Sequence, residues 1–139
     1  MDRIASDNPS VRTLDGTLER QGRLDRPKVV LPADDAVSTD SVVRLYLDGD
    51  EHRIRPSESG DTIEIRGAYD TPDGARDPRN AENRLTEWVK SEGLDFGRTV
   101  HLDIVEEGFA YGLRAPGERT VYPAVEKPDD SLSDIAENL

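Results

Sequence analysis

The stretch Arg98-Thr99-Val100-His101-Leu102-Asp103-Ile104-Val105-Glu106-Glu107-Gly108-Phe109-Ala110-Tyr111-Gly112-Leu113-Arg114 reads as two strands, 99–105 and 109–114, with a turn at Glu107-Gly108. Val100, Leu102 and Ile104 recur at every second position, the spacing that sends one set of side chains to one face of a sheet. The same plan occurs upstream. Ser41-Val42-Val43-Arg44-Leu45-Tyr46-Leu47 leads into Asp48-Gly49 and a return strand ending at Arg55-Pro56. An Asp-Gly pair between two such runs signals a hairpin. Val43, Leu45 and Leu47 correspond to Val100, Leu102 and Ile104. Short strands at 28–31 and 62–66 precede the two hairpins, and 120–122 reads as a last strand. The expected fold is α+β and mainly β: a small closed or partly closed β-barrel from two related strand-hairpin units. Closure would remove exposed strand edges.

One clear helix is expected near 80–92. Asn80 can cap it, Ala81, Leu85, Trp88 and Val89 form its apolar face, and Gly93 and Leu94 end it. Val11, Leu14 and Leu18 fall at i, i+3 and i+7, which predicts a short N-terminal helix. Residues 70–79 read as loop. The resulting organisation is a flexible N-terminus at 1–9, a single globular domain at 10–125 and an acidic tail at 126–139. In the tail, Leu132, Ile135, Ala136 and Leu139 make an apolar stripe, too short to be a stable helix alone.

Composition describes the solvent more than the chemistry. The 139 residues carry 30 Asp and Glu against 18 Lys and Arg, a formal net charge of -12. Only Lys28, Lys90 and Lys127 are lysines. Excess carboxylate holds water and cations, and molar salt screens its self-repulsion to a Debye length of about 3 Å. The expected setting is the cytoplasm of a salt-loving microbe. The absence of cysteine excludes disulfides, thiolate nucleophiles and Cys-ligated zinc. No apolar run approaches the roughly 18 residues of a membrane span, so no membrane partner is expected.

Two resemblances follow from particular stretches. Arg66-Gly67-Ala68-Tyr69-Asp70, Glu82-Asn83-Arg84-Leu85, Leu94-Asp95-Phe96-Gly97-Arg98 and 108–118 resemble a family of short uncharacterised haloarchaeal proteins, over nearly the full length. That resemblance implies no activity. Residues 26–49 resemble the AbrB-like swapped-hairpin DNA-binding proteins, which implies a barrel of that general type. The chain departs from their pattern where Asp40-Ser41 stands in place of Gly-Asp.

The richest constellation is Arg66, Gly67, Tyr69, Arg76, Arg79, Asn83 and Arg84. Arginine forks bind phosphate or carboxylate, and a tyrosine can stack on a base. The competing reading pairs these arginines with Asp70, Asp73, Asp77 and Glu82. Tyr111 and Arg114 make a second candidate, set against a place in the core and its rim. Arg20, Arg23, Arg26 and Lys28 form the one mildly basic stretch. His52 and His101 are expected on outward-facing strand positions without ligand spacing, so neither metal nor cofactor is expected. Phosphate loops, G-x-S-x-G elbows and H-E-x-x-H motifs are absent. The expected function is a non-enzymatic binding module associated with nucleic acid. The alternatives are a protein-interaction adaptor acting through the tail, or a small enzyme.

Overall fold

The computed structural model describes residues 3–6, 11–118 and 120–123. Its centre is one curled eight-stranded sheet, a half-barrel. Its strands are β2 (Arg12–Gln21), β3 (Leu24–Pro32), β4 (Val43–Leu47), β5 (Asp50–Ile54), β6 (Ser57–Ser59), β7 (Thr62–Ile65), β8 (Thr99–Glu106) and β9 (Ala110–Arg114), in the spatial order β5-β4-β9-β8-β2-β3-β7-β6. All neighbours are antiparallel except β4 and β9, which run parallel and join the two expected hairpins side by side. Register shifts at Ile104/Glu106 and Arg20/Gln21 add local twist, which helps the sheet curl. Within the stretch 1–9 expected to be flexible, β1 (Arg3–Ala5) pairs with β10 (Val121–Pro123) in a separate two-stranded ribbon.

The expected N-terminal helix is a strand, β2. Leu14, Gly16 and Leu18 are buried while Asp15 and Glu19 are exposed, a period of two that glycine at the middle position disguised as a helical spacing. Gly16 is needed there: a Cβ would stand 2.7 Å from Leu31 and 3.0 Å from Val29 on the neighbouring strand. The expected loop at 70–79 contains α1 (Pro72–Arg76), capped by Thr71 Oγ1 accepting from Gly74 N–H, and a 3-10 turn at Pro78–Asn80. The main helix, α2 (Arg84–Ser91), begins later than expected and is capped by Asn83, not Asn80. Its end is as expected. Gly93 takes φ +63°, its N–H donates to Lys90, and the Leu94 N–H reaches back to Val89.

α2 lays Leu85, Trp88 and Val89 on one face of the sheet, where they meet Val43, Leu45, Leu47, Val100, Leu102 and Ile104 in the main core. The other face carries a smaller cluster of Tyr46, Ala110 and Tyr122. On that second face, between Leu102 and Ile104 in sequence, sits Asp103, a carboxylate with no exposed surface. It accepts from Thr13 Oγ1 at 2.6 Å, Arg114 Nε at 2.8 Å and Tyr122 Oη at 2.6 Å. Burial and the neighbouring Asp103 charge push the Tyr122 hydroxyl pKa well above its usual value. The Tyr122 ring lies against Gly112, where a Cβ would come within 2.1 Å of it.

Removing one donor leaves a buried carboxylate short of a hydrogen bond, which costs about 1–3 kcal/mol. Tyr122→Phe should therefore lower stability by that amount in urea unfolding. Gly112→Ala should cost at least as much by displacing the ring. If both variants unfold with the wild type, the carboxylate cluster does not hold the second face.

Candidate functional site

The structure separates the expected site residues, bringing only some of them together. Tyr111 is in the core. Its hydroxyl donates to the Ala36 carbonyl at 2.8 Å and accepts from Ser38 N–H at 3.0 Å, so it anchors a loop and presents no face to a ligand. Arg114 is spent on Asp103 and on the Glu118 carbonyl at 2.9 Å. Arg76 pairs with Asp73 on α1. Arg84 is held by Asp70 at 2.7 Å and by Glu82 and Glu87, each at 2.9 Å. The competing reading of local ion pairs describes these last two arginines well.

Arg66, Tyr69, Arg79 and Asn83 come together. They line one cleft of about 470 Å³, joined by Arg26 and Gln21 from the β2–β3 hairpin. The segment after β7 builds its wall. The Asn83 side-chain oxygen accepts from Ala68 N–H at 3.1 Å and Leu85 N–H at 3.0 Å, and its amide donates to the Arg66 carbonyl. Gln21 donates to the carbonyls of Pro27 and Arg66. Both amides are structural clamps. Tyr69 is largely buried beside Gly67, where a Cβ would meet its hydroxyl at 2.3 Å. It forms the cleft's wall; it is not an open stacking platform.

The cations of this cleft are unequal. Arg66 forks onto Glu64 through Nε and Nη2, at 3.1 and 2.8 Å. Lys28 on the neighbouring strand donates to the same carboxylate at 3.0 Å, and Lys28 first and Arg66 second hold the Glu64 carboxyl pKa below its usual range. Arg79 pairs with Asp77 but is 83% exposed. The pair is a fork, Nε and Nη2 onto the two carboxylate oxygens at 2.9 and 3.0 Å, and such exposed pairs contribute little to stability. Arg26 makes no ion pair among the described residues. Among the described residues, no carboxylate lines this cleft.

A second cleft of about 570 Å³ lies along another stripe of α2, between that helix and the β4–β5 hairpin. Here the expectation for His52 is corrected. Its side chain is only 12% exposed and faces inward, because it stands two residues from the fully buried Ile54 and opposite Leu45. His101 sits on the other face, its Nδ1 2.8 Å from Asp15. Beside this cleft Asp48, Glu92 and Glu118 bring three carboxylates within 4.8 Å of one another, a geometry that could hold a cation. Sequence reading missed this triad because its members lie far apart in the chain. Desolvation, then hydrogen bonding to Glu118 and Asp48, pushes the Glu92 carboxyl up to about 7.

The whole sequence, residues 1–139, matches a family of unknown function, DUF7112. The chain belongs to that family. No curated protein and no solved structure is similar to it. Among the described residues of this DUF7112 chain, no helix is long and apolar enough to cross a membrane. The expected apolar stripe Leu132–Leu139 lies outside the described residues.

The triad sets a pH dependence. The Glu92 carboxyl binds its proton more tightly in the folded chain than in the unfolded one. Its contribution is thus fully present below the unfolded value near 4.5 and is lost as pH rises through about 7. Melting temperatures measured from pH 5 to pH 8 should fall for the wild type relative to Glu92→Gln. Parallel profiles would remove the triad as the cause.

Proposed function

We propose that this chain is a non-enzymatic binding module that takes a phosphate-bearing ligand, single-stranded nucleic acid, in the cleft lined by Arg26, Arg66 and Arg79. One observation carries this reading. In a chain of net charge -12, three arginines converge on a cleft that, among the described residues, no carboxylate lines. Arginine forks match phosphate oxygens. A volume of about 470 Å³ suits one or two nucleotides. The acidic surface around the cleft repels a long duplex, which favours a single strand entering by an end or a turn. The acid excess also supports a setting in the molar-salt cytoplasm of a salt-loving microbe, where the surrounding repulsion is screened. The two hairpins support a second part of the reading, descent from one repeated unit. Both bury their three matched apolar positions, and they lie side by side through β4 and β9.

The test is fluorescence anisotropy with a labelled oligothymidylate and a duplex of equal length, over a range of KCl concentrations. Each phosphate contact to a single strand contributes a slope of about -0.7 in log K against log salt, so three arginines give about -2. The triple variant Arg26→Gln, Arg66→Gln, Arg79→Gln should flatten that slope and weaken binding at least tenfold, with its circular dichroism unchanged. Arg76→Gln, outside the cleft, should bind as wild type. Equal binding by wild type and the triple variant would refute the assignment.

A further inference from the structure

The arginine cleft holds one polar group that the fold leaves without a partner. Tyr69 lines the cleft and is 9% exposed, and among the described residues its hydroxyl makes no hydrogen bond. That hydroxyl is not sealed from solvent, since the sealed, unpartnered side-chain atoms among the described residues are His52 Nδ1 and Trp88 Nε1. Its neighbours fix where it opens. A Cβ on Gly67 would stand 2.3 Å from Tyr69 Oη and 2.8 Å from Asn83 Nδ2, so the hydroxyl and the Asn83 amide lie close together over that glycine. Burial pushes the Tyr69 hydroxyl pKa above its usual value, against the opposing pull of the nearby Arg26 charge. Asn83 and Arg26 both line the cleft, so the hydroxyl between them opens into it as a protonated donor. A largely buried donor without an acceptor carries a desolvation cost that a ligand oxygen would remove.

The donors around this hydroxyl exceed what the interior of a strand can use. Arg66 forks onto Glu64 and Arg79 onto Asp77, each through Nε and Nη2, which leaves the Nη1 group of each without a hydrogen bond among the described residues. Arg26 makes no ion pair among the described residues. An interior phosphodiester brings a single negative charge. A phosphomonoester at a strand end brings about -1.5 to -2 at pH 7 and three accepting oxygens. With room for one or two nucleotides in about 470 Å³, an interior segment carries fewer charges than the cleft has arginines, whereas a terminal monoester with the diester beside it matches them. We propose that the cleft binds the phosphorylated end of a single strand: Arg26, Arg66 and Arg79 hold the terminal phosphomonoester and the adjoining diester, and Tyr69 Oη donates to a monoester oxygen. This inference rests on the reading of the cleft as a single-strand site, and adds which part of the strand enters and the residue that selects it.

The test is fluorescence anisotropy with three oligothymidylates of equal length, each labelled on an internal base. One ends in a 5′-phosphate, one in a 3′-phosphate, and one in hydroxyls at both ends. Titrations are run at the lowest KCl concentration that preserves the folded circular dichroism. The expected result is binding about tenfold tighter to a phosphorylated probe than to the hydroxyl-ended one. An advantage for the 5′-phosphate, the 3′-phosphate or both supports the proposal and identifies the end that enters. Tyr69→Phe keeps the ring in the cleft wall. It should cut that advantage about threefold or more and leave the affinity for the hydroxyl-ended probe unchanged. Equal binding of the three probes by the wild type, each weakened by the arginine triple variant, would overturn this proposal and leave the cleft as a site for the interior of a strand. An advantage untouched in folded Tyr69→Phe would overturn the part assigned to the hydroxyl. Failure of all three probes to bind would overturn the single-strand reading itself.

Discussion

A carboxylate with no access to water is the constraint around which the sheet is organised. Asp103 sits mid-strand in β8, on the face opposite the main core. An isolated ion in that position would be prohibitively costly, so it requires donors with fixed geometry. Thr13 comes from β2, Arg114 from β9 and Tyr122 from β10, so one side chain ties four strands together. Glycine at 112 follows from the same requirement, since Tyr122 must lie flat on β9 to reach the carboxylate. Tyr122 of β10 covers this face of the sheet at Gly112, and the opposite face is packed by α2.

On that opposite face the helix acts as a partition. Asn83 and Arg84 are fastened to Ala68, the former by its side chain and the latter by its backbone N–H at 2.7 Å. The same segment continues to Tyr69, whose backbone pairs with Arg53 and covers part of the edge of β5. A short length of chain therefore sets both the angle of α2 and the walls of two clefts. One flank of the helix meets Arg26, Arg66 and Arg79; the other meets the carboxylates of the β4–β5 turn. An acidic chain thereby keeps a concentrated positive site beside a concentrated negative one, with Arg84 and two of its carboxylates, Asp70 and Glu87, bordering the negative cleft.

Much of this arrangement is legible in the sequence, for reasons that also explain what is not. The β4–β5 and β8–β9 hairpins declare themselves through strict alternation and a turn glycine, and the end of α2 through Gly93 and Leu94. β2 was unreadable because Gly16 removes the middle apolar residue of an alternating set, leaving a spacing that suits a helix. Residues 70–79 hide a short helix because Pro72 and Gly74, ordinary loop residues, are tolerated in its first turns once Thr71 caps it. Four of the arginine-patch residues, Arg66, Tyr69, Arg79 and Asn83, line one cleft, but Arg26, 40 residues before Arg66, joins them only through the pairing of β3 with β7. His52 was readable and misread: Ile54, two positions on, fixes its face inward, yet the polar look of β5 suggested solvent. The Asp48, Glu92 and Glu118 triad carries no local signal at all.

The central claim is that three guanidinium groups, Arg26, Arg66 and Arg79, are available to a phosphate: Arg66 and Arg79 fork onto Glu64 and Asp77 but stay 63% and 83% exposed, whereas Arg84 and Arg114 are 31% and 17% exposed. The most direct measurement is an NMR titration that follows the assigned arginine Nε–Hε signals as a short single-stranded oligonucleotide is added. The account predicts saturable shifts at Arg26, Arg66 and Arg79, which face the cleft, with Arg84 and Arg114 unmoved because they lie outside it and are held by carboxylates in less exposed positions. Shifts spread evenly over all arginines, or centred on Arg84 and Arg114, would contradict it.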